Sequence, residues 1–227
     1  MKPGNMALSA LIVILLTSMV WVNTELRTVY NQIDLTDKLR NYLSIDTDEY
    51  SILKISGSNG YPIEIHQSDR QEMRVLRSRL SQIEHKIHGD TLIIHFSGAR
   101  VSPSSLVNTA TPPGIMISST ALSEIILEDT HNRVSGFDQS SLHLNLRGSS
   151  YTELSDNRIG SFSVQAMGSS SFEFQNKSSA DTALFRLKGG SVGFLEGLSY
   201  HVIEPIMEDS SLVVLSKNAL QELMHTQ

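Results

Sequence analysis

Two glutamates, Glu153 and Glu173, occupy matching places in two similar phrases, SLHLNLRGSSYTEL (141–154) and SFSVQAMGSSSFEF (161–174). On neighbouring strands ~4.8 Å apart their carboxylates would lie roughly 5 Å from each other, the separation of a retaining glycosidase pair. One would protonate the glycosidic oxygen while the other attacked the sugar. The same alignment places Ser150, Ser170, Ser191 and Ser210 in one column with His131 at its head, the ingredients of a nucleophile and its base. Four serines in register suit a ladder of corner hydroxyls better than one nucleophile, and no Gly-x-Ser-x-Gly elbow occurs. Two glutamates on a flat outer face stay solvated, with nothing to separate their pKa values. His85 and His88 are three apart in a strand-like segment, which points them to opposite faces, and His143 stands alone. Neither His-Glu-x-x-His nor a calcium-binding nonapeptide repeat is present. The residues therefore assign no catalytic, cofactor or metal site.

Positioning these columns requires a repeat. Apolar residues at Leu127, Leu146, Ala166, Leu187 and Ile206 recur at intervals of about twenty, the mark of a solenoid. In the three middle rows a glycine follows two places later: Gly148, Gly168 and Gly189. Within a row Leu142, Leu144 and Leu146 alternate with His143, Asn145 and Arg147, so one set faces a core and the other solvent. Short strands with tight turns make this a parallel β-helix, with glycine where a corner needs a positive φ. In this alignment the last row is imperfect. Glu204 falls at an inward place, Pro205 follows, and Glu208 replaces the glycine, as an end coil would allow.

Before the repeats the chain reads as hairpins. ILKIS and YPIEIHQ flank an SNG turn at 58–60, and SQIEHKIHGDTLIIHFSG folds about Gly89-Asp90. Residues 70–82 fit a helical turn or a strand, and 99–114 is loop. At the N-terminus, MALSALIVILLTSMVWV (6–22) is uncharged and, at ~1.5 Å per residue, just long enough to cross a thin hydrocarbon core. Lys2 precedes it and Trp21 closes it, and no Ala-x-Ala cleavage site follows. The domains expected are an anchor helix at 1–23, a spacer at 24–49, a β-rich opening at 50–118, repeats at 119–215 and a capping tail at 216–227. With a net charge of −6, a nucleic-acid partner is disfavoured. The absence of cysteine removes disulfides, thiolate catalysis and Cys-based zinc sites.

ILKISGSNGYPIEI (52–65), KIHGDTLIIHFSG (86–98), SEIILEDT (123–130), LHLNLRGSS (142–150) and FSVQAMGSS (162–170) together resemble the head GIN domain family of Bacteroidetes-type bacteria, auto-transporter adhesin-like proteins. The resemblance implies a β-helical fold exported to the cell envelope and brings no catalytic residues with it. Such domains often follow a lipoprotein signal, for which this chain lacks the cysteine.

The expectation is an all-β solenoid with an N-terminal hairpin region, behind one transmembrane helix. It would present a rigid, non-catalytic surface to an envelope polysaccharide or protein. The alternative is a carbohydrate-active enzyme using Glu153 and Glu173. An anchored chain would sit at the inner membrane with its C-terminal domain in the periplasm, whereas a cleaved one could reach the surface.

Overall fold

The computed structural model describes residues 3–32, 39–57, 60–97, 112–175 and 177–215. They divide into two units, Met1–Asn41 and Tyr42–Gln227. The first is built on helix α1 (Pro3–Gln32). It runs beyond the expected anchor because TELRTVYNQ (24–32) contains neither Gly nor Pro to stop it. Its stretch Leu11–Thr28 is long and apolar enough to cross a membrane. The hydroxyls of Thr17, Ser18, Thr24 and Thr28 donate to carbonyls about one turn back, so none asks for a partner that hydrocarbon lacks.

The second unit is a β-solenoid. It opens with β1 (Tyr42–Ile45), β2 (Ile52–Ser56), β3 (Ile63–Gln67) and β4 (Glu72–Leu76). A 3-10 turn (Arg77–Gln82), β5 (Ile83–His88), β6 (Thr91–Phe96) and β7 (Ile115–Ser119) follow. The repeats are β8 (Glu124–Glu128), β9 (His131–Ser135), β10 (Asp138–Arg147), β11 (Tyr151–Ser155), β12 (Arg158–Gly168) and β13 (Ser171–Phe174). They end with β14 (Ser178–Gly189), β15 (Val192–Phe194), β16 (Leu198–Met207) and β17 (Leu212–Val214). Odd and even repeat strands separate into two sheets. One has nine strands in the order β1-β4-β7-β3-β9-β11-β13-β15-β17, the other eight in the order β16-β14-β12-β10-β8-β2-β6-β5.

Alternation puts the apolar set of both sheets between them. Leu142, Leu144 and Leu146 are buried, as are Phe162, Val164 and Ala166 above them and Ala183, Phe185 and Leu187 above those. Phe172 and Phe174 enter from the opposite sheet. Phe172 stacks on Phe185 at 5.6 Å, and Phe174 meets Phe162 edge-on at 5.6 Å. Gly193 faces this cluster because a Cβ there would fall 2.5 Å from the Phe172 ring. The packing is matched by size along the solenoid axis.

One corner column fixes the rows. Gly148, Gly168 and Gly189 have φ of 66°, 76° and 74°. Register extends the column to Gly57 and Asp129 on one side and Asp209 on the other, all at positive φ. Asp enters the left-handed region more readily than most residues. This corrects the last row: Met207, not Ile206, pairs with Leu187, and Asp209, not Glu208, takes the corner. Pro205 then meets Phe185 and Glu204 turns outward opposite Leu184.

The opening half differs from expectation at two places. β2 and β3 do not form a hairpin. β2 pairs in parallel with β6 and β8, and β3 with β7 and β9, in different sheets. The SNG turn expected at 58–60 lies largely outside the described residues, and Leu53, Ile55, Ile63 and Ile65 meet in the core from opposite sheets. Part of the expected spacer is also strand, with β1 antiparallel to β4. The Gly89-Asp90 hairpin is present as β5 against β6. Residues 70–82 hold both a strand, β4, and the 3-10 turn. The loop at 99–114 lies largely, and the tail at 216–227 wholly, outside the described residues.

Candidate functional site

The serine column is a structural device. Register aligns Thr130, Ser150, Ser170, Ser191 and Ser211, so His131 and Ser210 drop out of it. Ser150 Oγ donates to Arg147 O at 2.8 Å and to Leu127 O, one coil back, at 3.1 Å. Ser211 repeats this on Glu208 O at 2.8 Å and Leu187 O at 3.2 Å. Ser170 bonds Met167 O at 2.8 Å and Ser191 bonds Ala166 O at 3.2 Å. Each buried hydroxyl thus closes the corner beside the left-handed residue. His131 pairs with Tyr151 instead, ring edge to ring face at 5.1 Å.

Glu153 and Glu173 are partners on adjacent strands, as aligned, but neither stands in open solvent as the flat-face reading supposed. The Glu153 side chain is only 15% exposed and lies 3.3 Å from Arg133 Nε. Arg133 also reaches Glu64 at 3.5 Å, so Glu64, Arg133 and Glu153 form one charge row across β3, β9 and β11. Glu173 accepts a hydrogen bond from Tyr151 Oη at 2.9 Å. Burial, then the bond to Glu173 and the nearby carboxylates, hold the Tyr151 phenol well above its usual pKa. It is a fixed neutral donor. Arg133 sits one row before Glu153 in the repeat, so the alignment already held this partner. Tyr151's reach to Glu173 left no signal in the sequence.

The outer face of the eight-stranded sheet is different. Across β10, β12 and β14 the register sets His143, Ser163 and Leu184 in one line and Asn145, Gln165 and Arg186 in the next. Arg147, Met167 and Lys188 make a third line. The ion pairs of this sheet lie around Ser163, Gln165 and Arg186 rather than among them: His143 to Glu124 at 3.9 Å, Lys188 to Glu208 at 3.3 Å, Arg158 to Asp138 at 3.2 Å and His201 to Asp181 at 3.5 Å. Asn145, which accepts from Arg147 Nε at 3.2 Å, is buried despite facing outward. Ser163, Gln165 and Arg186 bring a hydroxyl, an amide and a guanidinium together on a backbone held from both sides. Such a face can offer hydrogen bonds and a cation at fixed spacing, without reorganising. His85 and His88 point to opposite faces of β5, as their register against Ile94 and Thr91 requires. No cluster of three metal-ligating side chains occurs among the described residues.

A parallel solenoid with a polar outer face, in a chain with an apolar N-terminal helix, defines the class: a repeat protein of the exported or envelope kind. The family model described as "Putative auto-transporter adhesin, head GIN domain" matches residues 50–204, more than half of the chain, and the chain belongs to that family. Among solved structures it is similar to a putative adhesin from Parabacteroides merdae. The identity there is 13%, covering 77% of this chain and 80% of that one, with a TM-score of 0.47. A putative adhesin from Bacteroides fragilis matches at 11% identity over 77% of this chain and 96% of that one, with a TM-score of 0.40. A putative lipid binding protein from Parabacteroides distasonis matches at 14% identity over 77% and 93%, with a TM-score of 0.36. A search of curated proteins gives no match.

Proposed function

We propose that this chain is a non-catalytic envelope protein whose eight-stranded sheet presents its outer face as a rigid binding surface for an envelope polysaccharide or a protein. The observation that carries this is the contrast within the polar inventory. The carboxylates best placed for chemistry, Glu153 and Glu173, are engaged by Arg133 and Tyr151. Gln165 and Arg186 stand in register with Ser163 beside them on β12, and none of the three makes an ion pair to a described residue. The enzyme reading on Glu153 and Glu173 has less support, because their environment fixes them rather than readying one as an acid. Residues 1–23 would anchor the chain in the inner membrane, with the solenoid in the periplasm.

The test is a binding isotherm of the full chain, in non-ionic detergent, against envelope polysaccharide fractions and detergent-solubilised envelope proteins. The combined His143→Ala, Gln165→Ala and Arg186→Ala variant should lose binding at least about tenfold, roughly 1.4 kcal/mol. Full retention of binding by a folded triple variant would remove the face from the function. Turnover of a polysaccharide that stops with Glu153→Gln would replace binding with catalysis.

A further inference from the structure

The eight-stranded sheet carries a second feature away from its central rows. Beside β2, β6 and β5 lies a concavity of about 430 Å³ lined by Lys54, Ser56, Glu84, Lys86, Ile93 and His95, among others. Lys86, Ile93 and Lys54 share one line of register across the three strands. Their outer strands lie ~10 Å apart, so two lysine stems flank Ile93 and can converge above it. In the neighbouring line Glu84 stands opposite His95, and His95 opposite Ser56. Ser56 Oγ and His95 Nδ1 are 3.0 Å apart. That bond steadies the ring and leaves Nε2 as its second hydrogen-bonding atom.

Four other cations of this unit have carboxylates at hand: Arg74 at 2.8 Å, Arg133 and Lys188 at 3.3 Å, and Arg158 at 3.2 Å. Lys54 and Lys86 line the same hollow and make no ion pair with a described residue. Two like charges held together in a concave wall focus a positive potential there. Glu84 adds one opposing charge at the rim, which disfavours a bare polyanion and offers an acceptor for hydroxyl groups.

We propose that this hollow binds a phosphorylated sugar, with the phosphoryl group between Lys54 and Lys86 over Ile93 and the sugar hydroxyls at Glu84 and His95. The site is distinct from the central binding face, so either can fail without the other. The experiment is a titration of the ¹⁵N-labelled full chain in non-ionic detergent with glucose 1-phosphate, followed by amide shifts of β2, β5 and β6. Saturable shifts are expected with a dissociation constant on the order of 1 mM, and none with glucose at equal concentration. Lys54→Gln and Lys86→Gln should each weaken binding about tenfold. Glu84→Gln should weaken it about threefold, by exchanging a charged acceptor of the sugar hydroxyls for a neutral one. The variants' spectra outside these strands should stay unchanged. The proposal is overturned by absence of saturation, by equal shifts with glucose, or by binding that survives Lys54→Gln with Lys86→Gln. Binding only to phosphatidylglycerol vesicles, or strengthening by Glu84→Gln, would also overturn it.

Discussion

The two outer faces of the solenoid share one core and one register, yet they use their polar residues in opposite ways. On the nine-stranded sheet Arg133 stands between Glu64 and Glu153 and pairs with both, and Tyr151 closes on Glu173. On the eight-stranded sheet Gln165 stands opposite Arg186 with Ser163 beside it, and the ion pairs lie around these three. A polar row whose members satisfy each other mostly stabilises the fold. A row whose members do not is available to something outside it.

The comparison depends first on the corner that keeps both faces in step. Gly168 holds φ of 76° with a Cβ position 2.9 Å from Gly148 O. Gly168→Val should therefore cost about 3 kcal/mol or more in denaturant unfolding. Asp209→Gly, at the same corner, should be neutral or slightly stabilising by that measure. A smaller but cleaner separation comes from pH. Burial pushes the Tyr50 phenol up to about 12, the nearby Ser119 hydroxyl offsetting part of that. A raised phenol pKa gives stability that is intact below pH ~10 and is lost as pH rises toward 12, by about 1.4 kcal/mol per unit. Thermal unfolding across that window should fall in the wild type and flatten in Tyr50→Phe.

Face-specific changes come next. Arg133→Ala leaves Glu64, Glu153 and Glu173 in one uncompensated line and should destabilise by about 1–2 kcal/mol, less in high salt. Gln165→Ala or Arg186→Ala should change stability by no more than about 0.5 kcal/mol. If the second pair costs as much as the first, the two faces are not different in kind.

Much of this architecture was legible because core alternation and corner glycines are local signals. Leu142, Leu144 and Leu146 declare a strand, and Gly148, Gly168 and Gly189 declare its end. The last row slipped by one because Asp209 holds the corner without announcing it as glycine does. The segment 52–67 misled for another reason. Leu53, Ile55, Ile63 and Ile65 alternate identically whether two strands lie side by side or face each other across a core. At the sites, pairing of Glu153 with Glu173 followed from the repeat. The contact of Tyr151 with Glu173, and the sharing of one hollow by Lys54 and Lys86, depend on cross-strand placement that no single phrase contains.

The chain has no cysteine, which allows the most direct test. Ser163→Cys places a lone thiol on the eight-stranded face, and Ser155→Cys places one on the nine-stranded face. The rate of maleimide modification of each full-length variant, measured with and without the bound envelope polysaccharide or protein, reports which face is covered. Slowing at Ser163→Cys alone is the expected result. Slowing at Ser155→Cys alone, or equally at both, would contradict the assignment of binding to the eight-stranded face.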